Sequence, residues 1–415
     1  MPPPHSSPKR TRHGCPELRL AVVSPFVDRR HGTERALAEL LERLARRMHC
    51  EIHLYAQRAE DLDLDPSPEQ RRQDSGALLW HKVPSLRGPQ LLQFATWLCL
   101  NSICRARDRW VHGLRFDLVV SPGINCLDAD VVLVHALFHR LRELAREEVP
   151  EAPGPGLLRR LHRRAYYALL AGLERRVYSD TGVCLAAVSQ RTATLLAQYF
   201  HRQDVRVVPN AVDAAQFSPG ARLSRRAEAR LRRNFQEKDF VLLLIGNDWR
   251  VKGLPTVLRA MSILRGLPLQ VIIVGSEAPD SFREIARSLG VMESCRFEPP
   301  RRDVLDFYAA ADLYVSPSRE DSFGLPAAEA MVCGLPVITS VNAGVSEWMR
   351  DGVEGFVLRD PRNPQELSKL LEELYREPER RQRVGLAAAK ATLQWTWDRN
   401  AAGVWELLKE ATSRD

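Results

Sequence analysis

Residues 316–340 read Ser-Pro-Ser-Arg-Glu-Asp-Ser-Phe-Gly-Leu-Pro-Ala-Ala-Glu-Ala-Met-Val-Cys-Gly-Leu-Pro-Val-Ile-Thr-Ser, a pattern that sets an anion site just ahead of a carboxylate. An apolar run over 313–315 enters a turn with Ser318, Asp321 and Ser322, and a helix pattern starts near Phe323, with Pro326 in its first turn and Gly334 past its end. The free N–H groups of such a first turn, around Ser322, Phe323, Gly324 and Leu325, point outward with the positive end of the helix dipole and favour a phosphate. Glu329 follows about one turn later. An ionised carboxylate repels a phosphate but accepts hydrogen bonds from two neighbouring sugar hydroxyls. Phosphate beside hydroxyls describes a sugar nucleotide.

Two further loops carry groups suited to the same ligand. Gly246-Asn247-Asp248-Trp249-Arg250-Val251-Lys252-Gly253 follows an apolar run and leads into a helix; Arg250 and Lys252 are natural partners of a diphosphate. Nearer the start, His31-Gly32-Thr33-Glu34 joins the first apolar run to a helix over 36–47, the general place for a phosphate in a Rossmann-like unit. His135 ends the run 130–134, with His139 four residues on.

The elements that position these loops are legible as apolar runs with little alternation, at 18–24, 51–56, 117–121, 130–135, 183–189 and 205–208, then 240–246, 271–275, 313–316 and 336–340. Runs apolar on both faces and separated by helices predict an α/β fold with parallel strands covered on two sides. Pro209-Asn210-Ala211-Val212-Asp213 closes the first series and an Arg-rich stretch follows, which places a domain boundary there. A chain of 415 residues is long for one core and fits two domains. Residues 1–16, mostly Pro, Ser and basic, are expected to form a disordered tail without a secretory signal.

Together these segments resemble the retaining glycosyltransferases of family four, which share two facing Rossmann-like domains, the GT-B architecture. Their signature is an acidic residue, seven others, then Glu, with Phe-Gly inside. Here Asp321 stands eight positions before Glu329, where the family usually has Glu, while Glu320 is one residue early; a small loop shift lets Asp321 serve, or Glu320 substitutes. The resemblance implies that Lys252 binds the diphosphate, with Arg250 supplying the second cation because Asn247 stands at the usual Arg position. It implies that Gly32, in a turn that lacks the family's first Gly, closes over the diphosphate, and that His135 or His139 bonds the donor sugar. The loop 297–303 is expected to hold the base through main-chain groups. Pro-Asn-Ala-Val-Asp resembles the segment that ends the family's N-terminal domain. The expected layout is therefore an acceptor domain over 17–215, a donor domain over 216–388, and a C-terminal helix over 389–415 crossing back to the first domain.

The activity so implied is transfer, with retention, of a hexose from a nucleoside-diphosphate sugar, UDP being the commonest carrier in the family. The acceptor is a glycan or lipid-linked glycan, such as a lipopolysaccharide or cell-surface polysaccharide precursor; Gly246-Asn-Asp-Trp followed by Lys-Gly resembles lipopolysaccharide-core glucosyltransferases in particular. The leaving diphosphate takes the acceptor proton on the same face. No Asp-x-Asp constellation occupies a donor-site position, so neither a metal nor a resident cofactor is expected.

Net charge is +8 and the pI about 9.2, with pairs such as Arg140/Arg142, Arg159/Arg160, Arg163/Arg164 and Arg175/Arg176 in the first half. Beside the apolar segment 91–104, with Phe94 and Trp97, they suggest an anionic membrane surface as a partner, against the ordinary reading of solvated helix faces. No zinc-finger, homeodomain or RNA-recognition signature accompanies the charge, so no nucleic-acid partner is expected. The eight cysteines show neither Cys-x-x-Cys pairs nor zinc spacing and read as reduced thiols of a cytoplasmic protein, peripheral on the inner membrane face if docked. A sugar-nucleotide epimerase of the same architecture, or a catalytically silent sugar-nucleotide binder, would share the donor site.

Overall fold

The computed structural model describes residues 17–29, 32–65, 76–147, 157–301 and 303–414, without the side chains at 157–160 and 163. The tail over 1–16, His31, Cys15 and the side chains of Arg159, Arg160 and Arg163 lie outside the described residues. The first half runs β1 (Arg19–Val23), β2 (Phe26–Val27), α1 (Gly32–Arg47), β3 (Glu51–Ala56), β4 (Arg58–Ala59), β5 (Ala77–Lys82), α2 (Gln90–Val111) and β6 (Leu118–Pro122). It continues with β7 (Val131–Val134), α3 (Phe138–Glu147), α4 (Leu157–Tyr178), β8 (Cys184–Ala187), α5 (Gln190–Phe200) and β9 (Arg206–Val207). The second half runs α6 (Pro219–Leu231), β10 (Phe240–Ile245), α7 (Leu254–Ile263), β11 (Leu269–Val274), α8 (Asp280–Ser288), β12 (Cys295–Glu298), α9 (Leu305–Ala310) and β13 (Leu313–Val315). It ends with α10 (Leu325–Val332), β14 (Val337–Ser340), β15 (Phe356–Leu358), α11 (Pro364–Arg376), α12 (Pro378–Thr392) and α13 (Trp397–Thr412).

Two parallel sheets result, ordered β5-β3-β1-β6-β7-β8-β9 and β12-β11-β10-β13-β14-β15. The central strands are apolar on both faces because helices cover both: β3, β7, β8 and β14 are buried along their whole length. Each sheet carries its own pair of cores, one on either face. Both are Rossmann-like units with the reversal of strand order that places ligand loops at the C-terminal strand ends.

The chain end belongs to the first unit. Ala401, Val404, Trp405, Leu407 and Leu408 of α13 lie in the same buried cluster as Leu20, Ile52 and Leu133. Burying each large apolar side chain is worth about 1.5–3 kcal/mol, so this helix is a substantial part of that core. The connecting segment is fastened to it: the Asn400 side chain donates to the Pro209 carbonyl at 2.7 Å, and the Val212 N–H to the Trp395 carbonyl at 3.3 Å.

The two units meet through the loops that leave their C-terminal strand edges. Glu347 accepts from the N–H groups of Gln190 and Arg191 at 2.9 and 2.7 Å, closing the N-terminus of α5 from the other unit. Glu320 pairs with Arg191 at 2.7 Å and with Arg140 at 3.3 Å. Arg140, expected on a solvated or membrane-facing patch, is therefore an interdomain contact. Trp97, expected on the same docking face, is a core residue, 2% exposed, whose indole donates to the Asn125 carbonyl at 3.0 Å.

Candidate active site

The site forms where α1 and α10 approach each other end on. A Cβ built on Gly32 would touch Leu325 Cδ1 at 3.4 Å, so the first residue of α1 rests against the first residue of α10 across the gap. Both helices thus bring N-termini to one place, and their dipoles favour the same anion. Gly32 opens the helix itself rather than a turn before it, and the helix expected near Phe323 begins at Leu325. Gly324 caps it at φ 93°, with a would-be Cβ 3.1 Å from Val345 and 3.4 Å from an Asp321 carboxylate oxygen. Among the described residues the N–H groups of Phe323, Gly324 and Leu325 have no acceptor, while the Ser322 carbonyl accepts from Thr192 Oγ1 of the first unit at 3.4 Å.

Lys252 enters from the loop after β10, and its Nζ pairs with Asp321. That loop is held rigidly: Trp249 is fully buried with its N–H on Glu277 at 2.7 Å, and Asp248 caps Val251 at 3.0 Å. Gly246 leaves room for the Lys252 stem, which a Cβ there would meet at 2.9 Å. The two acidic candidates have separate partners: Asp321 faces Lys252, and Glu320 faces the arginines of the first unit. Arg250 is not brought in with them. It precedes α7 rather than riding on it, and its guanidinium lies 5.6 Å over the Phe282 ring, because the buried Trp249 packs on that same ring.

Glu329, one turn into α10, is 4% exposed and doubly held: Tyr308 donates to it at 2.7 Å and Arg35 of α1 pairs with it across the domains. Burial works against the Arg35 charge, yet the Glu329 carboxylate more than offsets it and holds the guanidinium above its usual range. Burial, reinforced by Glu329, pushes the Tyr308 phenol well up, so it stays a donor. A cavity of about 330 Å³ opens beside this pair, reached by Arg29 and Arg35 from one unit and by Phe217, Arg301, Val304 and Glu329 from the other.

His135 follows β7 and lines a second cavity of about 300 Å³, together with Phe26, Thr33, Phe94, Trp97 and Tyr166. Burial pushes its imidazole down to about 4, so it is neutral near pH 7. His139 is committed elsewhere: Glu174 takes its Nδ1 at 2.7 Å and also accepts from the N–H groups of Phe138 and His139, which fixes the start of α3. Because the unfolded imidazole titrates near 6.5, the unfolded chain binds a proton between about pH 6.5 and 4 that the folded chain refuses. Stability is therefore expected to fall as pH is lowered through that window, and His135→Gln to flatten this part of the curve; equal slopes in urea titrations of the two proteins would contradict it.

Arg35 and Tyr308 are site residues that spacing alone does not reveal. Arg35 lies about one turn after Gly32, as Glu329 does after Leu325, and their pairing becomes visible only once the two helices are known to face each other. Among the described residues no group of three or more His, Cys, Asp or Glu is placed to hold a metal ion.

Two Rossmann-like units facing across their strand ends, with converging helix N-termini, a Lys and a fixed Glu between them, define the GT-B class of nucleotide-binding fold. Two family descriptions match the chain, Glycosyl transferases group 1 over 225–391 and Glycosyltransferase Family 4 over 30–216. The chain belongs to the family-four glycosyltransferases. It is 31% identical to D-inositol 3-phosphate glycosyltransferase of Thermobifida fusca over 297 residues, 68% of this chain and 64% of the relative. It is 34% identical to that of Salinispora arenicola over 257 residues, 58% of this chain and 57% of the relative. The chain thus matches less than two thirds of these relatives' length; that of Paenarthrobacter aurescens aligns over 80% of this chain and 81% of its own at 28% identity. The fold is similar to that of WaaG, a glycosyltransferase involved in lipopolysaccharide biosynthesis (TM-score 0.69, 20% identity, 95% and 98% of the two chains). It is also similar to that of Anabaena Alr3699/HepE in complex with UDP-glucose (TM-score 0.67, 17% identity, 95% and 100%).

Proposed function

We propose that the protein is a retaining hexosyltransferase that moves a hexose from a nucleoside-diphosphate sugar, UDP-linked, to a glycan or lipid-linked glycan acceptor. The observation that carries this reading is the convergence of the α1 and α10 N-termini beside Lys252, with Glu329 one turn behind. Lys252 and the helix ends neutralise the diphosphate as it leaves, Glu329 takes hydroxyls of the nucleotide sugar, and the leaving phosphate accepts the acceptor proton on the face it vacates. Charge handling by these groups requires no metal. UDP-glucose in the complex of the HepE neighbour supports the donor class.

The acceptor end is read from the cavity around His135. Among the described residues no Arg, Lys, Asp or Glu lines it; its walls there are aromatic and aliphatic groups with the amides of Gln57, Gln90, Gln93 and Asn125. Such a lining favours an uncharged sugar with an apolar face or a lipid-linked glycan. The test is calorimetric titration, without added metal, with nucleoside diphosphates and their sugars, followed by transfer assays. Selective binding of UDP species is expected; no binding of any nucleotide would overturn the reading, and epimerised donor without an acceptor would replace transfer.

Peripheral docking on an anionic membrane is proposed at the C-terminal end of α2 rather than around Trp97. Trp110 is 85% exposed and Val111 70%, on the last turn of α2, with Ile103 and Arg107 on the turns before. No helix among the described residues is long and apolar enough to cross a membrane. An exposed Trp flanked by Arg fits an interfacial contact. Trp110→Glu is expected to reduce co-sedimentation with phosphatidylglycerol vesicles several-fold at low salt while leaving UDP affinity unchanged; undiminished sedimentation would remove this surface.

A further inference from the structure

We infer a second anion site in the donor unit, built for the phosphate of a small organic molecule, at the edge of the sheet opposite the donor loops. Asp312 directly precedes β13 and Pro336 directly precedes β14, so the cavity they line, about 230 Å³, lies at the N-terminal strand edge, whereas Lys252 and Asp321 follow C-terminal strand ends. Its other walls come from α6, the end of α10 and α12, and they bring Arg222, Arg226 and Arg381 to one space.

Three guanidiniums face a single carboxylate there. Asp312 already serves Arg226, Arg230 at 3.1 Å and the Val241 N–H at 2.8 Å. Arg222 donates Nε to the Cys333 carbonyl at 2.9 Å, and Arg381 donates Nη1 to the Tyr375 carbonyl at 3.0 Å; both tie down helix ends, and neither has a carboxylate partner among the described residues. The carbonyl contacts use Nε and Nη1 of Arg222 and Nη1 of Arg381, and Nη2 of Arg222 and Nε and Nη2 of Arg381 have no acceptor among the described residues.

Elsewhere buried arginines are matched by acids, as Arg35 is by Glu329, Arg105 by Asp128 and Arg233 by Asp306. Arg222 and Arg381 are the contrast: burial holds both below the usual guanidinium range, with Arg226 opposing the charge further. Partly buried cations without a counter-charge are costly, and a phosphate, which takes guanidinium forks in pairs, supplies what is missing. Leu223 and Leu386 at the rim offer contact to an organic remainder.

The probe is inorganic phosphate, titrated into full-length Lys252→Ala protein so that the donor loops do not compete. Binding with a raised thermal midpoint is expected there. It is expected to weaken at least tenfold when Arg222→Gln and Arg381→Gln are added. Because those arginines also tie helix ends, Leu386→Glu and Leu223→Glu serve as second variants: both positions are more than half exposed, so folding is spared while a negative charge is set at the rim. They too are expected to weaken phosphate binding, and to leave UDP affinity unchanged. Phosphate binding that is absent in Lys252→Ala, or equal in all these variants, overturns the site. Failure of UDP to bind the unaltered chain would overturn the donor reading and leave this result standing.

Discussion

Lys252→Ala is expected to weaken UDP and UDP-sugar binding by about 10- to 150-fold, the range that follows from losing one charge-assisted bond worth about 1.5–3 kcal/mol. Lys252 pairs with Asp321, so its removal leaves that carboxylate facing an incoming diphosphate with no cation between them. Repulsion then adds to the lost attraction, and Lys252→Arg is expected to recover part of the affinity. Calorimetry without added metal reads both; an unchanged dissociation constant in Lys252→Ala would remove the diphosphate from this loop. Glu329 needs a gentler substitution. Ala there strands Arg35, and breaking a buried pair from one side costs about 3–5 kcal/mol, which would confuse folding with binding. Glu329→Gln keeps the shape and the Tyr308 contact, and it is expected to weaken UDP about tenfold while 2′-deoxy-UDP loses less, because the hydroxyl proposed as the partner of Glu329 is then absent. Equal losses for the two nucleotides would move the ribose elsewhere.

The sequence carried the central architecture because the inner strands are apolar on both faces. All ten apolar runs, from 18–24 to 336–340, lie on strands. What it left out are β5, β12 and β15, which stand at sheet edges, and the two-residue pair β2 and β4. An edge strand is covered less completely; β5 is buried at Ala77, Leu78 and Leu79 and then opens to solvent, so its pattern is indistinct. The same division holds in the site. Asp321, Gly324 and Glu329 sit in one local signature, and Lys252 in another over 246–253, whose spacings imply their chemistry. Arg35, Tyr308, Arg191 and Glu347 act only through contacts between segments 21 to 294 residues apart, which spacing within a segment does not encode. Arg250 shows the converse: charge and nearness to Lys252 suggested a diphosphate ligand, but in the turn before α7, beside the buried Trp249, its guanidinium lies over Phe282.

Gly253→Ala is expected to be severely damaging, because among the described glycines only Gly253 combines a positive φ with a close backbone clash. Gly253 holds φ 84° as the cap of α7, a left-handed conformation that costs an L-residue about 1–2 kcal/mol, and the added Cβ would lie 2.1 Å from the Pro317 carbonyl oxygen. Backbone cannot swing aside as a side-chain tip does, so the loop after β10 and the loop after β13 must separate. Overpacking of that kind adds about 1–3 kcal/mol, for a total of roughly 2–5 kcal/mol. The function suffers beyond the stability, because the first loop carries Lys252 and the second carries Asp321 and the start of α10. Gly324→Ala meets a similar φ but only the side chain of Val345 at 3.1 Å and an Asp321 oxygen at 3.4 Å, so its effect is smaller and concentrated on the anion site. Gly32→Ala, with a 3.4 Å contact to Leu325 and no positive φ, leaves the fold nearly unchanged and narrows the gap between the two helix ends. Denaturation midpoints and UDP affinities of the three variants should therefore rank Gly253 as worst in both, Gly324 next, and Gly32 mild in the first and measurable in the second. A Gly253→Ala protein with normal stability and normal UDP affinity would mean that the two loops are not seated on each other, and the donor site as described would fall with them.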